Sequence, residues 1–124
     1  MFYVQYAHAR ICSIFRQAEE QGVQVLPLEQ VDLSPLTSEA EFDLLRKIGE
    51  LPEEIAIAAE QYTPHRMIRY VYELASQFHS YYRGHYVITD DAALTQARLA
   101  LLGALRTTLA NTLRVVGVSA PERM

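Results

Sequence analysis

Apolar residues recur at steps of three and four positions along most of the chain, which is the spacing of helices with one buried face. The first stripe lies between Phe2 and Gln21 and consists of Val4, Ala7, Ile11, Ile14 and Ala18. Gly22 follows, and a glycine there typically ends a helix because it adopts left-handed backbone angles without strain. The pattern therefore predicts a first helix from Phe2 to Gln21. No capping residue precedes it, so we expect this chain to be a piece of a longer protein.

The next stretch predicts a connector and then a second helix. Residues 23–37 mix β-branched side chains with Pro27 and Pro35, which exclude a regular helix interior and favour an extended segment with at most a turn of helix. Ser38 and, three residues later, Glu41 form the signature of a capping box. The helix that they begin is expected to reach about Glu50.

Two further helix starts carry a proline in the first turn. Pro52 favours a short helix through "EEIAIAAEQY". Thr63 and Pro64 are typical of a cap and a first helical position, and the helix that follows is expected to end at Gly84. Its predicted buried stripe consists of Met67, Val71, Leu74, Phe78 and Tyr81.

A link over residues 85–89 separates this helix from the last one. Thr89 or Asp90 is expected to cap the last helix, which ends at Gly117. Its predicted stripe consists of Leu94, Leu101, Leu105, Leu109, Leu113 and Val116. Since no strand pattern of useful length remains, the sequence predicts an all-α helical bundle, with Leu74, Ala75, Phe78, Leu101 and Leu105 in its core.

Length and composition favour one domain over residues 1–124. Half of the 124 residues are apolar, which is enough for one core and too little for two. No apolar run approaches the roughly 20 residues that a bilayer requires, and no signal peptide is recognisable, so we expect a cytoplasmic protein without a membrane partner. Cys12 is the single cysteine and has no partner for a disulfide or a zinc site.

The net charge of −4 conceals a segregation along the chain. Residues 17–62 carry eleven acidic side chains and only two basic ones, whereas the two flanking segments are basic. Ten of the eleven basic residues are arginine, which suits forked contacts with phosphate and stacking on flat rings. Solvated helix faces would give the same pattern, so both interpretations stay open.

No catalytic or metal-binding signature occurs in the sequence. Phosphate-binding glycine loops, nucleophile elbows and paired metal-ligand histidines are absent. Cys12 and His8 are four residues apart and could pair a nucleophile with a base, but Cys12 lies beside the apolar stripe and is interpreted as core. We therefore expect no catalytic residue and no metal site.

The segment "FHSYYRGHYV", residues 78–87, combines four aromatic rings, two histidines and one arginine. Phe78 and Tyr81 belong to the buried stripe, whereas Tyr82 lies about 100° further around the helix and is expected to face outward. Rings beside arginines are typical of single-stranded nucleic-acid binding, because every base offers a face for stacking. From the pattern alone, ordinary core tyrosines are the favoured interpretation, and nucleic-acid binding is the alternative.

Three motifs in the chain resemble those of one family. The start, "FYVQYAHARICSIFR", is similar to the segment that opens the C-terminal anticodon-binding domain of arginyl-tRNA synthetases. The segment "TPHRMIRYVYELASQFHSYYRGHYVI" and the end, "LRVVGVSAPERM", resemble the middle and the terminus of the same domain. The Asp-Ala-Leu-Arg string after which this domain class is named is not spelled out; "QARL" at 96–99 and "GALR" at 103–106 come nearest.

The resemblance implies an all-helical module of the class Ia synthetase anticodon-binding type. It implies that the partners of this module are tRNA-Arg and the catalytic domain of the same chain. It also implies that the full-length protein is a monomer. It also implies that the full-length protein is an arginine-tRNA ligase using ATP with magnesium in a catalytic domain missing here, so this domain itself should hold no cofactor and form no aminoacyl-adenylate.

Six residues are implied to contact tRNA. Tyr6 and Arg10, four residues apart on one helix face, would give a stacking ring beside a cation, and Arg16 would extend the basic face. The other three, implied by the family's aromatic positions and its terminal methionine, are Tyr82, Tyr86 and Met124. His8 and His79 are interpreted as packing histidines that each make one hydrogen bond.

Two other functions remain open at this stage. A stand-alone protein-interaction adapter would need a large apolar patch instead of rings and arginines. A free-standing tRNA-binding factor would need Met1 to be a native start. The reading frame upstream would distinguish these alternatives, because a synthetase requires several hundred further residues.

Overall fold

The computed structural model describes all residues from Met1 to Met124 and consists of helices joined by short links. In chain order these are α1 (Phe2–Glu20), a single 3-10 turn (Leu28–Gln30), α2 (Glu39–Gly49), α3 (Leu51–Gln61), α4 (Pro64–Gly84) and α5 (Ala92–Val115). No strand is present, so the predicted all-α bundle is confirmed. None of the five α-helices combines the length and the apolar character of a membrane-spanning segment.

Glycines end α1 and α5 in the same way. Gly22 and Gly117 have φ angles of 77° and 79°. The amide of the residue after each glycine then donates to a carbonyl five residues earlier, Val23 to Ala18 and Val118 to Leu113, both at 2.8 Å. This pattern satisfies carbonyls that the helix end would otherwise leave free. The two predicted stops are therefore confirmed, with α1 ending one residue before the expected Gln21.

The capping box at the start of α2 is also confirmed. The Ser38 hydroxyl accepts from the Glu41 amide at 3.1 Å, and the Glu41 carboxylate accepts from the Ser38 amide at 3.1 Å. Pro52 lies in the first turn of α3, as expected. Tyr62 follows the last residue of α3 and adopts left-handed angles (φ 52°) without being a glycine.

One predicted cap lies at the expected residue without a capping bond, and another is wrong. Thr63 precedes α4, but its side chain makes no capping bond and its buried hydroxyl has no partner. At the start of α5 the cap is Asp91, whose carboxylate accepts from the amides of the first turn at 3.0 and 3.2 Å. Asp91 directly precedes the helix and so reaches those amides, whereas Thr89 lies two residues further away and donates to the Asp91 carbonyl.

The core lies where α4 and α5 pack on each other and on α1 and α2, while α3 covers α4. All five predicted stripe residues of α4 are buried, and so are the central leucines of α5. Leu94 and Val116, at the two ends of the α5 stripe, are only partly buried. Tyr70 is an additional core residue whose hydroxyl donates to the Lys47 carbonyl. This packing leaves α1 and the last turn of α4 side by side.

Candidate nucleic-acid interface

An open cleft of about 410 Å³ lies between α1, the last turn of α4 and the end of the chain. Five of the six predicted site residues line it, namely Tyr6, Arg10, Arg16, Tyr82 and Met124. We call it the α1–α4 cleft. The sixth, Tyr86, lines a neighbouring cleft of about 480 Å³ that shares Ile14, Gln17 and Tyr82 with the first. The fold thus brings all six residues to one continuous concave surface.

Arg10 lies at the centre of the α1–α4 cleft, on two tyrosine rings. Its guanidinium carbon is 4.5 Å from the ring centroid of Tyr82 and 5.8 Å from that of Tyr6. One guanidinium nitrogen is 3.5 Å from Nδ1 of His79. No carboxylate lies within 4.0 Å of it, since all five ion pairs of the chain involve other cations. The remaining donors of Arg10 are therefore available to an anion.

Tyr82 is less exposed than the sequence predicts. Its ring stacks on the fully buried Phe78, with centroids 5.8 Å apart and planes at 14°, and it also carries the guanidinium of Arg10. The freely exposed rings of this surface are Tyr6 (48% exposed) and Tyr86 (85% exposed). A base that stacks on this surface would therefore meet Tyr6, Tyr86 or the guanidinium plane before it meets Tyr82.

Side chains of α1 hold the C-terminal tail beside the cleft. Gln5 donates to the Ser119 carbonyl at 3.0 Å, His8 to the Pro121 carbonyl at 2.8 Å, and Arg16 to the Glu122 carbonyl at 3.1 Å. These contacts bring the last two side chains, Arg123 and Met124, into the cleft lining. Sequence reasoning missed Arg123, although it lies inside the "ERM" motif, and correctly described His8 as a packing histidine with one hydrogen bond.

Unpaired arginines surround this surface. Seven arginines of the chain lack a carboxylate within 4.0 Å, and five of these line the α1–α4 cleft or the clefts next to it, namely Arg10, Arg16, Arg83, Arg106 and Arg123. Arg106 lies over the ring of Phe15 at 4.2 Å and lines a third cleft together with Arg16 and Arg123. Positive charge that the protein does not neutralise is what attracts the phosphates of nucleic acid.

His79 lies buried beneath the exposed rings. Its imidazole contacts Tyr3, Tyr6 and Phe78 at centroid distances of 5.0 to 5.7 Å, and its Nε2 has no hydrogen-bond partner. Burial, together with the charges of Arg10 and Arg83, lowers the pKa of this imidazole. A neutral ring suits the position, because it supports the tyrosines without competing with the arginines for an anion.

A buried carboxylate behind this surface was not foreseen. Glu41 is only 1% exposed and accepts from the Tyr81 hydroxyl at 2.7 Å and from Nε of Arg98 at 2.9 Å. Burial disfavours its charge, but the bonds from Tyr81, Ser38 and Arg98 outweigh burial and hold the pKa of the carboxyl below its ordinary value. Burial in turn raises the pKa of Tyr81. The capping box indicated Glu41, but no sequence signal indicated Arg98.

The chemistry of this surface is that of binding. Cys12 is buried, and the only base near its sulfur is Nδ1 of His8 at 3.9 Å, which already donates to Pro121. No three His, Cys, Asp or Glu side chains come together as ligands for a metal ion. Flat rings, unpaired guanidinium groups and an open groove are suited to a single-stranded segment of nucleic acid.

Comparisons with known proteins were made with the whole chain. The sequence profile described as "DALR anticodon binding domain" matches residues 4–124. The chain is 54% identical to an arginine–tRNA ligase of Symbiobacterium thermophilum and 50% identical to one of Bacillus subtilis, in each case over its full length. It spans 22% of the length of each of these relatives.

A solved structure has the same fold. The arginyl-tRNA synthetase of Thermus thermophilus superimposes with a TM-score of 0.85 at 35% identity, over 98% of this chain and 21% of that one. The three motifs of the sequence thus lie in a chain that is similar to these ligases throughout its length, and the resemblance is confirmed.

Proposed function

The chain belongs to the family of DALR anticodon binding domains, and on that premise we propose that residues 1–124 form the domain with which an arginine–tRNA ligase holds the anticodon arm of tRNA-Arg. The observation that carries the proposal is the α1–α4 cleft. There, Tyr6 and Arg10 of α1, Tyr82 of α4 and the terminal Met124 line one groove with unpaired positive charge.

Each residue of this surface has a role that follows from its exposure and charge. Tyr6 and Tyr86 offer ring faces to unpaired bases of the loop, and Met124, 63% exposed, offers an apolar contact beside them. Arg10 and Arg16 donate to phosphates or base edges. Tyr82 packs between Phe78 and Arg10 and keeps the guanidinium in place.

The full-length protein is proposed to be an arginine–tRNA ligase that acts as a monomer in the cytoplasm. Arginine activation with ATP and magnesium would belong to a catalytic domain outside these residues. The 124-residue chain alone should therefore catalyse no arginine-dependent exchange of pyrophosphate into ATP, even with tRNA present. Exchange catalysed by the pure chain would contradict this division of labour.

The alternative of a protein-interaction adapter is less well supported. An apolar cleft lined by Ile55, Met67 and Ile68 lies near the start of α4, at the opposite end of that helix from the α1–α4 cleft. It does not involve the rings and arginines that require explanation. The relatives named above are ligases, and none of them is a stand-alone adapter.

Competition between two tRNAs tests the proposed function. The net charge of −4 limits nonspecific attraction to nucleic acid, so selective contacts should dominate even at low salt. We expect labelled tRNA-Arg to bind the chain weakly and to be displaced by unlabelled tRNA-Arg more effectively than by an unrelated tRNA. Equal displacement by both tRNAs would count against anticodon recognition.

A further inference from the structure

The link between α4 and α5 carries the most exposed ring of the surface and has little structure of its own. Tyr86 is exposed, whereas the next residue, Val87, is buried. No backbone–backbone hydrogen bond involves Tyr86, Val87 or Ile88. The position of the Tyr86 ring is therefore set by side-chain contacts, namely the burial of Val87 and the side chains that reach the link from other elements.

Arg98 of α5 is one of these side chains, and its guanidinium is divided between two partners. Its Nε donates to the buried Glu41 at 2.9 Å, and its Nη1 donates to the Tyr86 carbonyl at 2.6 Å. The planar fork makes both bonds possible at once, because its donors point in fixed, different directions. A lysine ammonium at the same position could not hold both partners in this geometry.

His85 fixes the other half of the link to the same carboxylate. Its ring stacks on Tyr81 with centroids 4.3 Å apart, and its Nδ1 donates to the Tyr81 carbonyl at 3.0 Å. Its Nε2 is 3.1 Å from the Ser38 hydroxyl. Tyr81 and Ser38 both bond to Glu41, so the two residues of the link are anchored to one buried centre.

We propose that Arg98, braced by Glu41, is a positioning residue that fixes the backbone at Tyr86 and so presents the exposed ring to an unpaired base of RNA. The inference rests on the proposed function and extends it to a residue that does not touch RNA. Ordering a side chain before binding improves affinity, because the entropy cost is then not incurred on association. Losing that order should weaken binding by about three- to tenfold.

A double-mutant cycle tests the proposal. The ligand is a labelled RNA hairpin with the anticodon stem and loop of tRNA-Arg, titrated at low salt into four chains: the parent, Arg98→Lys, Tyr86→Ala and the double variant. We expect Tyr86→Ala to weaken binding about tenfold and Arg98→Lys about three- to tenfold. If Arg98 acts through Tyr86, the double variant binds no more weakly than Tyr86→Ala alone.

The control is Arg114→Lys, the same exchange at an exposed position of the same helix, which should leave affinity unchanged. If Arg98→Lys does not fold, His85→Ala replaces it in the cycle. This variant removes contacts that hold the link, and it leaves Arg98 paired with Glu41. Additive losses, or full affinity in the Arg98→Lys variant or in the variant that replaces it in the cycle, would overturn the positioning role. A parent chain that does not bind the hairpin would contradict the proposed function itself.

Discussion

The two ends of α4 each carry a cation on a tyrosine ring, and the two pairs differ in their surroundings. Near the start of α4, Nζ of Lys47 lies 5.0 Å from the ring centroid of Tyr70. Near the end of α4, the guanidinium carbon of Arg10 lies 4.5 Å from the ring centroid of Tyr82. Lys47 is also bound by the carboxylates of Glu73 and Glu50, whereas Arg10 has no carboxylate within 4.0 Å.

This difference separates a structural pair from a binding pair. Near the start of α4 two cations are neutralised inside the protein, since Arg66 pairs with Glu54 in the same way that Lys47 pairs with Glu73. At the end of α4 the arginines are left for an external anion. A cation on a ring therefore does not identify a binding surface by itself. The absence of a carboxylate partner distinguishes Arg10 from Lys47, and it indicates a binding surface only together with the cleft and the rings, because Arg69 and Arg114 also have no carboxylate within 4.0 Å.

The largest expected effect concerns Phe78, the buried ring beneath Tyr82 near the end of α4. Phe78 is fully buried beneath Tyr82, so Phe78→Ala should lower the free energy of unfolding by about 3–5 kcal/mol through the cavity that it leaves. Tyr82→Ala should cost clearly less, because that ring is partly exposed, while weakening hairpin binding through the loss of support for Arg10. Urea unfolding measures the first quantity and hairpin titration the second. Equal destabilisation by both variants, with unchanged RNA binding, would make Tyr82 a core residue only.

The second prediction compares the two cations directly. Arg10→Ala should weaken hairpin binding by about 1.5–3 kcal/mol, which is tenfold or more, because it removes a charge-assisted hydrogen bond. Lys47→Ala should leave affinity unchanged and lower only stability, since it releases Glu73 and uncovers Tyr70. Titrations of both variants against one hairpin provide the comparison. A similar loss of affinity from both would show that the two ends of α4 do not differ in function.

The third prediction abolishes the difference by supplying the missing carboxylate. Ser13 lines the α1–α4 cleft three residues after Arg10, so the side chain of Ser13→Glu can pair with that guanidinium. Hairpin affinity should fall by about 1 kcal/mol, roughly fivefold, with stability changed by less than about 0.5 kcal/mol. The matched control, Glu73→Gln, removes the nearer of the two carboxylates that bind Lys47 and should not create RNA binding at that end. Retained affinity in Ser13→Glu would refute the importance of an unpaired Arg10.

The smallest expected effect concerns the pH dependence of stability that Glu41 contributes. The pKa of Glu41 is lowered in the folded protein, so its ionised form contributes stability above the ordinary glutamate pKa, and this contribution is lost as the pH falls through the lower folded value. Thermal unfolding between pH 6 and about pH 3 should therefore show a steeper acid loss for the parent chain than for Glu41→Gln. If the melting temperatures of the parent chain and of Glu41→Gln fall in parallel with pH, the lowered pKa of Glu41 is contradicted.

Local sequence signals were enough to predict most of the fold. The helix of residues 64–84 and its buried stripe follow from apolar spacing, and Ser38 with Glu41 predicted the start of α2 because both partners lie within one turn. The errors arose where local signals compete. Two adjacent aspartates could each have capped α5, and Thr63 faces the interior instead of the amides of α4.

The candidate site was less accessible to sequence reasoning. The spacing of Tyr6 and Arg10 puts them on one helix face, but their proximity to Tyr82 and Met124 came from the family resemblance, because no local pattern relates α1 to the end of the chain. The bond from Arg98 to Glu41 joins residues 57 positions apart, and such a contact depends on how α5 packs beside α2. The bonds from His8 and Arg16 to the tail are likewise products of tertiary packing.

The most direct test of this account is a map of the hairpin on the chain by amide chemical shifts. Nitrogen-labelled chain is titrated with the anticodon hairpin of tRNA-Arg, with an unrelated hairpin of equal stem length as the control. The account predicts that the largest shift changes fall in residues 6–17, 82–88 and 123–124, while residues 47–73 stay unchanged. Changes centred on α2 and α3, or spread evenly over the chain, would contradict it.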